Sequence, residues 1–286
     1  MENNKKQGKG LVVIVVILII AVLGLVGFIC YDKHLIFSST SKDNDLKSNN
    51  TSSNSKEKLD INSRLVQDLY SLVTIDSDDC NKNWIYGYDQ ENSKYNDEFN
   101  VETADESVKM NFVGNLLSES KINYVDCSTI TIPNQLSDAD SFCYASNNEE
   151  NKEIKTYDKS YIEYLYKKLF GKNQKLDTNV ELKADKFGGQ AYFYISSYDK
   201  YFLYLREVGG TCGPDKYNTK ITKAFKIGKQ IKIYENEVLN HYEEGNDQTY
   251  GTSDDVAKEV SNNTYIYTFN QEDDGMYSFV SRLKDK

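Results

Sequence analysis

The sequence predicts an α+β domain held outside a membrane by one N-terminal helix. Three observations carry this reading. Leu11 to Ile29 is apolar or glycine at every position. Helical periodicity recurs three times before position 172, and from Gln190 the period drops to two in runs bounded by turn residues. Helices followed by strands, rather than alternating with them, indicate an antiparallel sheet.

The apolar stretch has nineteen residues. At ~1.5 Å per helical residue it nearly spans a hydrocarbon core of ~30 Å. Lys5, Lys6 and Lys9 precede it, and Asp32, Lys33 and His34 follow. The positive-inside bias therefore keeps the N-terminal tip in the cytoplasm. A cleaved signal has a shorter apolar stretch and a small-residue exit, whereas here the exit reads Gly27-Phe28-Ile29-Cys30-Tyr31-Asp32. Lipidation at Cys30 would want a small residue before it, and Ile29 is large and β-branched. An uncleaved signal-anchor is the reading that remains. It divides the chain into a cytoplasmic tip (1–9), a transmembrane helix (10–31), a tether (32–58) and an extracellular α+β domain (59–286). Ser38–Lys58 is mostly Ser, Asn and Lys and cannot bury enough surface to offset its ordering entropy. As a flexible coil its reach is about 25 Å.

The chain carries a net charge of −10. Without the eight Lys+Arg and five Asp+Glu of residues 1–58, the remainder has 26 positive and 39 negative charges, a net of −13. Such a surface repels phosphate backbones, so nucleic acid is not an expected partner. The expected partners are the membrane itself and an envelope protein or glycan. The chain also has 31 Lys against 3 Arg, with 28 Asn and 23 Tyr, residues whose codons are rich in A and T. Codon bias and strand propensity account for the tyrosines, although Tyr also suits a binding face because it joins an apolar body to a polar tip.

The first helix follows from Ile61, Leu65, Leu69 and Leu72, with Asp60 as N-cap. A second stripe, Val108, Phe112, Leu116 and Leu117, opens with Thr103 and Glu106 at capping-box spacing. The third is the clearest: Asp158 caps, Tyr157 and Ile162 staple, Tyr161, Leu165 and Leu169 form the stripe, and Gly171 ends it. Residues 80–156 are otherwise poorly patterned, with short strands expected at Ile122–Val125 and Thr129–Ile132. Three hairpins then follow, at Ala191–Leu205, Ile221–Glu235 and Tyr265–Val280. Ala191, Phe193 and Ile195 are expected to face the core, and Tyr192 and Tyr194 to face away from it. Helices before long hairpins suggest an NTF2-like or cystatin-like arrangement by analogy, which licenses no function.

Chemistry is sparse in this sequence. Cys80, Cys127, Cys143 and Cys212 lie beyond the anchor, where an oxidising compartment favours disulfides. Three connectivities are open, and Cys127–Cys143 closes the shortest loop. No C-x-x-C pairing supports zinc, no H-E-x-x-H is present, and no cofactor is expected. His241 is the one histidine away from the membrane boundary, so any His-dependent nucleophile would have to use it. Ser-x-x-Lys recurs at Ser118, Ser197 and Ser281, too often in a Ser- and Lys-rich chain to mean a nucleophile. Gly209–Pro214 reads as a tight turn without the Lys of a phosphate loop. Carboxylates cluster at Asp76–Asp79, Asp138 and Asp140, Glu243 and Glu244, and Asp254 and Asp255. None matches a calcium loop, and a glycosidase would need two held ~5–9.5 Å apart in a cleft.

The Lys-bearing tip, apolar span, Ser/Asn tether, LDINSRLVQDLY at 59–70 and Tyr-rich hairpins around GGTCG at 209–213 resemble a group of uncharacterised single-span proteins of low-G+C Gram-positive bacteria. That resemblance implies architecture and carries over no catalytic or binding residue. The expected function is a non-enzymatic binding or interaction module of the cell envelope. The alternative is a cell-wall or glycan hydrolase using paired carboxylates. The topology has a direct test. Protease added to intact cells should cut the tether and release the 59–286 domain, and protection of that domain would reverse the orientation.

Overall fold

Strand pairing organises the folded part of the chain into two antiparallel sheets that share one core with three helices. The computed structural model describes residues 55–75, 82–89, 91, 94–131, 153–184, 190–205, 215–243 and 256–286. The expected anchor, most of the tether, the Gly-rich turn at 209–214 and the acidic groups at 76–79, 138–140, 244 and 254–255 lie outside the described residues. Among the described residues no helix is long and apolar enough to cross a membrane.

In chain order the elements are β1 (Lys56–Leu59), α1 (Arg64–Ser71), a 3-10 turn (Lys82–Tyr86), β2 (Tyr88–Asp89), β3 (Lys94–Tyr95), β4 (Phe99–Asn100), α2 (Glu106–Asn115) and β5 (Asn123–Asp126). After these come β6 (Glu153–Asp158), α3 (Lys159–Phe170), β7 (Leu182–Ala184), β8 (Gln190–Ile195) and β9 (Lys200–Leu205). The chain closes with β10 (Asp215–Ile227), β11 (Gln230–Glu243), β12 (Val256–Gln271) and β13 (Tyr277–Lys284). The larger sheet runs β1-β10-β11-β12-β13-β4 and the smaller runs β5-β6-β9-β8-β7, with β2 and β3 forming a separate ribbon. The fold is therefore α+β, as the order of periodicities implied.

All three expected hairpins form. In the second, Ile227 pairs with Gln230, leaving Gly228 and Lys229 as a two-residue turn. Gly228 has φ +59°, the left-handed backbone such turns demand. The hairpins do not share one sheet, however. β8–β9 joins the smaller sheet because β9 pairs with β6, a strand with little alternation in its sequence. The folded part also starts earlier than expected. Lys56–Lys58, assigned to the tether, belong to β1 and pair with β10.

Two helix caps differ from expectation. Ser63, not Asp60, caps α1, its hydroxyl accepting from the Val66 amide, while the Asp60 side chain accepts from Asn62 N. At α2 the capping box does not form: Asp105 is the N-cap, and Glu106 instead pairs with Lys109 at 3.2 Å and accepts from the Tyr166 hydroxyl. The third helix forms where expected, with Gly171 at φ +95° donating to Lys167 O; Asp158 holds the N-cap position, but its side chain makes no capping hydrogen bond and pairs with Lys200 instead. The expected strand at Thr129–Ile132 is absent where described, since Cys127–Thr129 form a 3-10 turn.

Aromatic rings fill the centre of the core. Phe99 of β4 stacks on Phe279 of β13 at 5.1 Å, and Phe112 of α2 packs against both, at 4.7 and 5.5 Å. Phe170 closes the group from α3, with centroids 6.1 Å from Phe99 and from Phe112. The second half of α2, Met110–Gly114, is buried at every residue, and Gly114 lets it touch β7. A Cβ on Gly114 would lie 1.5 Å from the Lys183 carbonyl oxygen.

The facing of β8 corrects the sequence reading. Tyr192 is fully buried, its ring 5.0 Å from Tyr157, while Phe193 is half-buried. Ala191 and Ile195 are buried as expected. Tyr192→Ala should therefore cost about 3–5 kcal/mol and Phe193→Ala clearly less. Thermal unfolding of the two variants measures the order, and a more damaging Phe193→Ala would contradict this packing.

Candidate functional site

One strand of the larger sheet carries acid where its pattern demands apolar residues. On β11, Ile231, Ile233, Glu235 and Glu237 recur at spacing two, so all four side chains point to the same face, and all are buried. Tyr265 and Tyr267 of β12 face the same way, with Glu235 opposite Tyr265. A bulge on β13 supplies the cation. Phe279 pairs with Phe269 but Ser281 pairs with Thr268, so Val280 is an extra residue. That single insertion reverses the alternation and puts Arg282 inside, opposite Tyr267.

Arg282 is fully buried and spends four donors there. It donates to Tyr267 Oη at 2.9 Å, Glu235 Oε1 at 3.0 Å, Glu237 Oε2 at 2.6 Å and the Asp97 carbonyl. Its guanidinium lies over the Tyr265 ring, 3.6 Å from the centroid. The Tyr267 hydroxyl gives its proton to Glu235 at 3.1 Å, so Tyr86 must be the donor in the 3.2 Å contact between the two hydroxyls. Tyr70 of α1 donates to the second Glu235 oxygen, and Tyr265 donates to Asp97 Oδ2 at 2.8 Å. Two buried carboxylates thus face one cation, and tyrosine hydroxyls provide the further donors. Burial pushes the Tyr86 hydroxyl up to about 12, against the opposing pull of Arg282.

The 3-10 turn that carries Tyr86 also borders an open space. Its Trp84 and Tyr86 carbonyls accept from Asn111 Nδ2 at 3.4 Å and Asn96 Nδ2 at 3.3 Å. Between them and the start of α2 lies a polar pocket of about 280 Å³. Gly87 and Val108 form part of its wall; Gly87 has φ +82°, and a Cβ there would come within 2.7 Å of Val108. Asp105 and Ser107 line it from exposed positions and Lys183 from β7. Asn111 lines it too, is only 5 % exposed, and its Oδ1 has no hydrogen-bond partner. A buried carbonyl left in this state costs about 1–3 kcal/mol.

Among the described residues, the candidates read from the sequence are not brought together. Cys127 is buried and disulfide-bonded, while Cys143 and the chain's other cysteines lie outside the described residues. His241 sits far along β11, in register with Asp215 and Lys258, and Glu243 is exposed two residues on. The three Ser-x-x-Lys sequences fall at a 3-10 turn, a hairpin turn and β13. Among the described residues no group of three His, Cys, Asp or Glu is placed to hold a metal. Sequence reasoning missed Glu235, Glu237 and Arg282, although two signals pointed to them. Acid interrupts an apolar alternation, and an arginine is one of three in a lysine-rich chain. Nothing in the sequence marked Asn111.

Comparison with protein-family models, curated proteins and solved structures finds no match.

Removing the cation should be severe. Arg282→Met leaves two acids buried without their partner and should destabilise by about 3–5 kcal/mol. Replacing Arg282, Glu235 and Glu237 together by apolar residues should recover much of that loss, because no uncompensated charge then stays inside. Denaturant midpoints of the two variants measure this.

Proposed function

We propose that the chain is a membrane-anchored extracellular binding module of the cell envelope rather than a hydrolase. The observation that carries this reading concerns the paired acids. Glu235 and Glu237 both reach one nitrogen of Arg282, so they are close enough for two-carboxylate chemistry. Their side chains are 0 % and 4 % exposed, and tyrosine and arginine donors hold them. Acids enclosed in this way are placed as structural groups rather than in an open cleft. The open space lies beside this cluster, in a small polar pocket that suits binding.

The surroundings support the same reading. Leu11–Ile29 with its preceding lysines supports an anchor with an external domain, and the Ser/Asn-rich segment supports a tether. A bonded Cys127 suits an oxidising compartment, and Cys143 is its proposed partner. An NTF2-like or cystatin-like arrangement stays the proposed finer fold of the long β10–β12 hairpins, an analogy that licenses no function. Val256 and Val260 at the outer end of β12 are 63 % and 58 % exposed, which suits contact with an envelope protein.

The test uses the full-length chain in detergent, incubated with peptidoglycan, soluble glycans and peptides. No turnover is expected. Turnover that is abolished by an acidic-residue substitution, with the melting temperature unchanged, would overturn the proposal and establish a carboxylate hydrolase.

A further inference from the structure

The outward face of the larger sheet carries one sign of charge, in a chain whose acids outnumber its bases by 44 to 34. Ala224, Ile231, Ile233, Tyr265 and Tyr267 point into the core, so the residues between them on each strand point out. Register then gathers five lysines on that face. Lys56 lies opposite Ile227 and Lys58 opposite Phe225, while Phe225 in turn faces Lys232. Lys223 lies opposite Tyr234 and Lys220 opposite Asn236. The bulge at Thr222 keeps Lys220 and Lys223 on one side despite their odd spacing. In the same rows β12 adds only uncharged residues, Ile266 and Thr268 among them. Among the described residues no carboxylate shares these outward positions.

Lysines are common on a solvent face, and on an edge strand they discourage pairing with other chains. Two further observations exceed that role. The five ammonium groups make no ion pair among the described residues, although Lys229 at the adjoining hairpin turn pairs with Asp273 at 3.3 Å. The lysines also share the face with apolar groups. Lys56 Nζ lies over the Phe225 ring, 3.8 Å from its centroid, and Lys223 Nζ over the Tyr234 ring at 4.2 Å. The two rings meet edge to face at 5.9 Å. From Tyr234 the apolar row continues through Ile266 to Leu283, which is 42 % exposed. None of these side chains is buried.

We infer that this face docks on anionic lipid headgroups, its lysines meeting the phosphates and its rings and Leu283 lying at headgroup level. Charge complementarity selects an anionic surface, and the apolar row selects lipid. A soluble anionic polymer would engage the lysines and leave that row idle, whereas aromatic rings and long lysine stems suit the boundary between headgroups and acyl chains. The acidic remainder of the domain is repelled by the same headgroups, so the field turns the lysine face toward them. In the chain, β1 follows the Ser/Asn-rich segment expected to be the tether, which keeps a lipid surface within reach of the domain. The inference rests on the reading of the chain as membrane-anchored and adds a second, electrostatic contact to that anchor.

The test places the full-length chain in lipid nanodiscs of phosphatidylcholine alone or of an equimolar mixture with phosphatidylglycerol. An amine-acylating reagent followed by mass spectrometry reads each lysine, with the exposed Lys172 and Lys175 beyond α3 as internal references. Labelling of Lys56, Lys58, Lys220, Lys223 and Lys232 should fall about threefold or more in the mixed discs only, and high salt should restore it. Each lysine removed should weaken docking about fivefold, so Lys223→Gln combined with Lys232→Gln should expose the other three at an unchanged melting temperature. Three results would each overturn lipid docking: equal labelling in both kinds of disc, protection in phosphatidylcholine alone, or protection there by added soluble polyphosphate. The second would mark contact between copies and the third a phosphate polymer. Retention on phosphatidylcholine discs in high salt reads the anchor separately. If the chain is not retained there, the anchor fails, and salt-sensitive capture by the mixed discs still supports the docking face while its absence overturns it.

Discussion

Arg282 is the point on which separate parts of the chain converge. Its own strand, β13, meets Glu235 and Glu237 of β11, Tyr267 of β12 and the Asp97 carbonyl just before β4. Through Tyr70 the cluster reaches α1, and through Tyr86 it reaches the 3-10 turn. Such a cluster adds less net stability than its contacts suggest, because desolvating each ion costs several kcal/mol. Its stronger effect is on register. A one-residue slip of β13 would turn Arg282 outward and leave two acids buried alone, a penalty no apolar residue could impose. The bulge at Val280 is therefore part of the same device.

Much of the fold was legible where local chemistry and tertiary context agree. Helix α3 is the best case, with its N-cap position, buried stripe and terminal glycine all read from neighbouring residues, although the Asp158 side chain makes no capping hydrogen bond. The hairpins were legible for the same reason, since turn residues and alternation lie close in sequence. Helix α2 shows the limit. Five consecutive buried residues, Met110–Gly114, blur the periodicity that marks one face, and its capping box lost to a pairing of Glu106 with Lys109 and Tyr166. Strand β8 failed by phase. Alternation specifies two faces but not which of them is buried, and here the Tyr192 ring is buried among Tyr157, Leu182 and Leu203.

The candidate site was less legible than the fold, for a physical reason. Catalytic motifs are short patterns with fixed spacing, whereas the buried cluster draws on Tyr70, Tyr86, Asp97, Glu235, Tyr267 and Arg282, spread over more than two hundred positions. Only strand pairing makes them neighbours. The pocket is similarly composite: Asn111 and Asp105 share a helix, but Gly87 and Lys183 come from a turn and a strand far away in sequence.

The cluster and the pocket are two solutions to one problem, and they meet at a single turn. Residues 84–87 place the Tyr86 hydroxyl in the dry cluster and the Trp84 and Tyr86 carbonyls beside the pocket. On the dry side the acids find donors within the fold, so the charges there are structural. On the pocket side the fold supplies donors to two carbonyls and leaves the Asn111 oxygen unanswered. Because the turn is anchored through Tyr86 to a group that cannot shift without exposing charge to apolar surroundings, the pocket wall inherits that rigidity. The buried acids, which the sequence reading passed over, thus act structurally, by holding still the turn that borders the pocket.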